Sequence, residues 1–125
     1  MSSYTILIIE DDEQFRGFVS ELLTSEGFEV LTAENGKEGI DLLEVQQPDL
    51  ILTDLLMPEK DGVRVISEVR SNYSHIPVIA MSGGQSVFSP VFLEAASSLG
   101  AAQTLTKPFA DDELIDAIHS LLNTP

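Results

Sequence analysis

Five short apolar runs punctuate the chain, and between them apolar residues recur at helical spacing. The first run, Thr5 to Ile9, is continuous and β-branched and stops on Glu10-Asp11-Asp12. A second, more mixed run spans Phe28 to Thr32, and a third begins at Leu50 and stops on Asp54. Val78 to Met81 is the fourth, ending in Ser82-Gly83-Gly84, and Ala101 to Thr106 the fifth, leading into Lys107-Pro108-Phe109. Runs apolar on every residue mark strands buried on both faces, whereas a mixed run suits a strand nearer a sheet edge.

The intervening segments predict helices. Phe15, Phe18, Val19, Leu22 and Leu23 share one helical face, and Gly27 suits a left-handed cap. Asn35-Gly36 breaks the chain before a second helix, Lys37 to Gln46, which buries Ile40 and Leu43 and ends before Pro48. Val63, Ile66, Val69 and Arg70 mark a third, closed by Ser71-Asn72. Ser86 to Leu99 reads as a weaker fourth carrying Phe88, Val91, Phe92 and Ala95, with Pro90 in its first turn and Gly100 at its end. The last helix opens on Asp111-Asp112-Glu113, acids suited to the positive end of its dipole, and buries Leu114, Ile115, Ile118, Leu121 and Leu122. Strand and helix alternating five times predict an α/β fold with a parallel sheet covered on both faces and right-handed crossovers. At 125 residues this is one domain, residues 1–125, with no linker or low-complexity stretch.

Charge and composition narrow the possible partners. A net charge of −15 disfavours direct binding to nucleic acid or to an anionic membrane surface and favours cations and basic protein surfaces. The absence of cysteine excludes disulfides and thiolate chemistry. No apolar run reaches the length of a membrane span and no signal peptide precedes the first strand, so a cytoplasmic location is expected.

Candidate chemistry lies where the runs end. In an open parallel sheet the carboxyl ends of the strands share one edge, and ligands bind there. Strand one delivers Glu10 and Asp11, strand three Asp54, strand four Ser82 and strand five Lys107. Three converging carboxylates repel unless a cation sits between them, and oxygen-only donors suit a hard ion such as Mg²⁺. A carboxylate nucleophile, a hard metal, a hydroxyl and an ammonium together suit phosphoryl transfer. Taken singly, each residue has a plainer reading. Asp11 or Asp12 could cap the first helix, Ser82 could be turn chemistry, and Lys107 a solvated charge. Five such residues, each closing a strand, favour the shared site. His75 and His119 close no strand, look solvent-facing and are assigned no phosphate-carrying role.

Glu10-Asp11-Asp12, the stretch from Asp54-Leu55-Leu56-Met57-Pro58 to Gly62, Met81-Ser82-Gly83 and Thr106-Lys107-Pro108-Phe109 together resemble the receiver domain of two-component response regulators. The resemblance covers essentially the whole chain. It implies a flavodoxin-like doubly wound (βα)5 sandwich of three layers, with a five-stranded parallel sheet of order 2-1-3-4-5. It further implies that Asp54 is the phospho-acceptor and that Mg²⁺ is bound by Asp11, Asp54 and the Leu56 backbone carbonyl, with Glu10 acting through water. Ser82 would be the switch hydroxyl and Lys107 the phosphate-pairing lysine, its bond to Pro108 commonly cis.

The implied activity is a phosphorylation switch fed by a sensor histidine kinase or histidine phosphotransfer protein, rather than a multiple-turnover metabolic enzyme. With no output domain in the sequence, a protein target is expected, and a monomer or weak dimer through the face of helix four, strand five and helix five. Thr104 departs from the family, which often has Tyr or Phe there. Signalling is therefore expected through the Ser82-to-Phe88 segment, with Phe88 and Phe92 either anchors on that face or core. Two rivals are weaker. A flavin site would need hydroxyl and N–H donors where Glu10-Asp11-Asp12 would repel a phosphate. A haloacid-dehalogenase-type phosphatase would carry Asp-x-Asp after the first strand, where this chain has Asp11-Asp12-Glu13.

Overall fold

The computed structural model describes residues 3–55, 62–83, 94 and 96–122. Five strands, β1 (Thr5–Ile9), β2 (Glu29–Ala33), β3 (Leu50–Asp54), β4 (Val78–Gly83) and β5 (Gln103–Lys107), form one sheet of order β2-β1-β3-β4-β5. All four pairings are parallel. Between them run α1 (Glu13–Ser25), α2 (Gly36–Val45) and α3 (Gly62–Asn72), and Asp111–Leu122 forms the C-terminal helix. Of the predicted fourth helix, residues 94 and 96–99 are helical; Phe88 and Phe92 lie outside the described residues.

Residue alternation divides the core into two layers. Ile6, Ile8, Leu50, Leu52, Ile79 and Met81 pack with Val19 and Leu23 of α1 and with Leu114 and Ile118 of the C-terminal helix. Leu7, Ile9, Ile51, Val78 and Ala80 face the other way, against Leu43 of α2, Val65, Ile66 and Val69 of α3, and Ala96. Every residue of β1 and β3 is buried, which explains why those two runs carry no alternation, while the edge strand β2 is buried only at Ala33. The result is a doubly wound, flavodoxin-like sandwich of three layers.

Boundaries shift by a residue or two from the sequence reading. β4 extends through Ser82 to Gly83, so Ser82 is a strand residue rather than part of a turn. β5 begins at Gln103 rather than Ala101, and α2 begins at Gly36, capped by the Asn35 side chain, which accepts from the Glu38 N–H at 2.8 Å. Gly27 and Gly100 take positive φ (94° and 121°) after their helices, as the glycine stop signals require. Phe18 departs from its predicted face: it is 52% exposed, and Val19 and Leu23 carry the burial of α1. His119 is half-buried, its ring 5.9 Å from that of Phe28. His75 is exposed and bonds Gln47.

The first acidic run divides its labour. Asp12 is the N-cap of α1, its carboxylate accepting from the N–H groups of Gln14 and Phe15 at 3.0 and 3.1 Å. Asp11 is therefore spared that role. Replacing Asp12 with Ala should cost about 1 kcal/mol in urea denaturation and leave the response to Mg²⁺ intact. Asp11→Ala should show no capping loss and should abolish stabilisation by Mg²⁺.

Candidate functional site

Parallel pairing brings the ends of β1, β3, β4 and β5 to one edge. Ile9 pairs with Thr53, Asp54 with Met81, Ser82 with Thr106 and Gly83 with Lys107. Glu10, Asp54 and Lys107 continue the alternation of Ile6-Ile8, Leu50-Leu52 and Leu105, so all three belong to the α1 side of the sheet. Ser82 continues the opposite set, Val78-Ala80, and is fully buried.

The charged groups form a compact cluster. Glu10 and Asp54 are 1% and 7% exposed, unusual for carboxylates without a compensating charge. The Lys107 ammonium supplies one, donating to Glu10 Oε1 at 2.5 Å and standing 3.8 Å from Asp54 Oδ2. Glu10 Oε2 also accepts from the Asp12 N–H, and its backbone carbonyl accepts from Arg16 Nη1 at 2.8 Å. Burial pushes the Glu10 carboxyl above its ordinary pKa; the Lys107 bond opposes this and the Asp54 charge adds to it. Asp11 is exposed, yet one oxygen from each of Glu10, Asp11 and Asp54 falls within 4.8 Å of the others. This donor set fits a hard divalent cation: all oxygen, anionic, with two members buried and one open to solvent.

Around the cluster, several contacts were not legible from spacing. The Lys107 Nζ lies 4.2 Å from the centroid of the Phe15 ring, and Phe15 meets Phe109 edge-on at 5.9 Å and 80°. The Lys107-Pro108 bond is cis, as the resemblance implies. Gly62, the last residue of the stretch that begins at Asp54, starts α3 and donates its N–H to the Leu55 carbonyl at 3.0 Å. A Cβ there would collide with the Asp54 carbonyl oxygen and lie 2.7 Å from Leu55 Cα. The site thus requires glycine because two backbones touch. Leu56, expected to offer a carbonyl to the metal, lies outside the described residues. Thr104 sits half-buried on β5, paired with Ala80.

A fold of this class, with acids and a lysine meeting at the carboxyl edge, agrees with the comparisons to known proteins. The family described as the response regulator receiver domain matches residues 6–119. The cell cycle transcriptional regulator CtrA of Caulobacter vibrioides is 37% identical over 117 residues, covering 94% of this chain and 49% of that protein. Response regulator MprA of Mycolicibacterium vanbaalenii is 33% identical over the same length, with the same coverage. The chain therefore spans about half the length of these relatives. Among solved structures, a response regulator receiver domain from Clostridium thermocellum superposes with a TM-score of 0.88 at 29% identity, covering 96% of this chain and 94% of that one. The receiver domain of Francisella response regulator 1452 gives 0.85 at 28%, covering 97% and 98%. This chain belongs to the response regulator receiver domain family. No helix among the described residues is long and apolar enough to cross a membrane.

Two outcomes follow from the site's packing. Gly62→Ala should force the start of α3 away from the end of β3, since neither backbone atom it meets can rotate aside. Urea denaturation should show a loss of stability, and amide shifts should move around Asp54 and Leu55. For Glu10, a raised folded pKa means that its contribution to stability is fully present below about pH 4.5 and lost as pH rises through the folded value. In EDTA, wild type should therefore lose stability relative to Glu10→Gln as pH increases across that window. A constant difference would place the Glu10 carboxyl in an unperturbed environment.

Proposed function

We propose that this chain is a phosphorylation-dependent signalling switch whose acceptor is Asp54, charged by the phosphohistidine of a sensor histidine kinase or histidine phosphotransfer protein. The observation that carries this reading is the buried Asp54 carboxylate held beside Lys107 and the oxygens of Glu10 and Asp11. An Asp54 oxygen attacks phosphorus; the new O–P bond forms as the P–N bond breaks, and the bonding pair leaves with the imidazole ring. The Lys107 ammonium, already 3.8 Å from Asp54 Oδ2, is in place to pair with a phosphoryl oxygen. Ser82, buried at the end of β4, supplies a hydroxyl donor on the same edge. Glu10, Asp11 and Asp54 would hold Mg²⁺, which when bound neutralises phosphoryl charge as the bond is made.

Each Asp54 accepts one phosphoryl group, so the chain acts as a stoichiometric switch that also dephosphorylates itself, rather than as a metabolic enzyme. The acidic surface favours a protein partner with a basic or neutral face over direct contact with nucleic acid. Output is proposed to leave through the side of the domain that carries β5 and the C-terminal helix, as monomer or weak dimer, with Thr104 near-silent in place of an aromatic lever. A cytoplasmic setting suits a kinase-fed switch.

Incubation with acetyl phosphate and Mg²⁺ should add one base-labile phosphoryl group, read by intact mass. Asp54→Asn or EDTA should abolish it. Labelling of Asp54→Asn at the wild-type rate would move the acceptor elsewhere.

A further inference from the structure

Lys107 is gripped on a side that the phosphotransfer chemistry does not require. Its ammonium has an ionic contact at Glu10 Oε1, a longer one at Asp54 Oδ2, and the ring of Phe15 centred 4.2 Å from Nζ. Phe15 is half-buried on the first turns of α1, and its ring is held edge-on by Phe109, two residues beyond Lys107. The segment that carries the lysine therefore also braces the ring that holds it.

These three partners differ in what they do when a phosphoryl group arrives. Glu10 is an anionic acceptor and competes with phosphoryl oxygens for the ammonium. The Phe15 ring attracts the cation through its quadrupole, takes up none of its hydrogen-bonding capacity, and screens it from water. A lysine so held enters the charged complex with little rotamer freedom left to lose. We propose that Phe15 is a positioning residue for the phosphoryl site: its ring face keeps the Lys107 ammonium aimed at Asp54, and Phe109 fixes the ring. The phosphoryl part of this proposal rests on the reading of Asp54 as acceptor; the grip on Lys107 does not.

Two measurements on the full chain test it. The chain has only three lysines, Lys37, Lys60 and Lys107, so their Hε signals are readily separated by NMR. In the metal-free, unphosphorylated protein, Lys107 Hε should be displaced upfield by the ring current. The displacement should vanish in Phe15→Leu, which keeps apolar bulk, and persist in Phe15→Tyr. Titration with beryllofluoride and Mg²⁺ should then show a midpoint raised roughly three- to ten-fold in Phe15→Leu and close to wild type in Phe15→Tyr. In a Lys107→Met background, where uptake is already weakened, Phe15→Leu should add no further loss.

Three equivalent lysine signals in wild type would overturn the proposal. So would an unaltered midpoint in Phe15→Leu, or the same loss with and without Lys107, which would mark Phe15 as packing only. A wild-type chain that takes up no beryllofluoride would overturn the reading of Asp54, and the phosphoryl role of Phe15 with it, while the ring-current signal would still report the grip itself.

Discussion

Two buried carboxylates at the same edge of a sheet are the constraint to which the rest of the site answers. Glu10 and Asp54 give up nearly all contact with water, and an isolated carboxylate pays heavily for that. Parallel strands make the problem worse, because they deliver every strand end to one place. Compensation comes from Lys107, brought from the far side of the sheet to lie against one carboxylate and near the other. It is incomplete: Glu10 retains a raised pKa despite its short bond to the ammonium, with burial the leading cause. Such a cluster is poised to gain from a further cation at the oxygens and from an anion at the ammonium, the two halves of the phosphoryl site proposed above.

Sheet order then explains which residue types can serve. β5 is three strands away from β1, roughly 14 Å at about 4.8 Å per strand spacing, so a short side chain at either end would leave the gap open. Lysine on β5 and glutamate after β1 are long enough to meet, 97 residues apart in sequence. Asp54, on the intervening β3, needs less reach, and its shorter side chain leaves the ammonium at 3.8 Å instead of in direct contact. Alternation puts all three on the α1 side, and that is why a ring from α1 rather than α3 closes over the lysine.

The strand ends were legible in sequence because a buried parallel strand must be apolar throughout, so the first charged residue after the run announces the edge. Glu10 and Asp54 were found in that way, Ser82 and Lys107 as the residues that close the fourth and fifth runs, and the five-fold alternation carried the fold class. Strand order came from family resemblance, since apolar runs do not encode their neighbours. Periodicity misjudged Phe18, because an amphipathic helix of this length has a wider apolar stripe than the sheet can cover. It also could not separate Asp11 from Asp12: both lie between strand and helix, and capping depends on the backbone angles of one residue. Gly62 was visible as the end of the stretch that begins at Asp54, but the reason for glycine there is the approach of two backbones, which no local pattern records.

Phe15 shows most clearly where local reading ends. Its helical spacing marks it as a core residue, and it does pack against the α1-side layer. The same ring also faces an ammonium from the opposite end of the chain, so one side chain serves the apolar layer and the charged cluster at once. An aromatic ring can do both because its edge and face differ in electrostatic character. Leucine at this position would satisfy the periodicity and the packing equally well and leave the lysine with ionic partners only. The distinction between scaffold and site therefore runs through the middle of a single residue, on a helix whose cap, Asp12, hydrogen-bonds the backbone of that same residue and of the one before it.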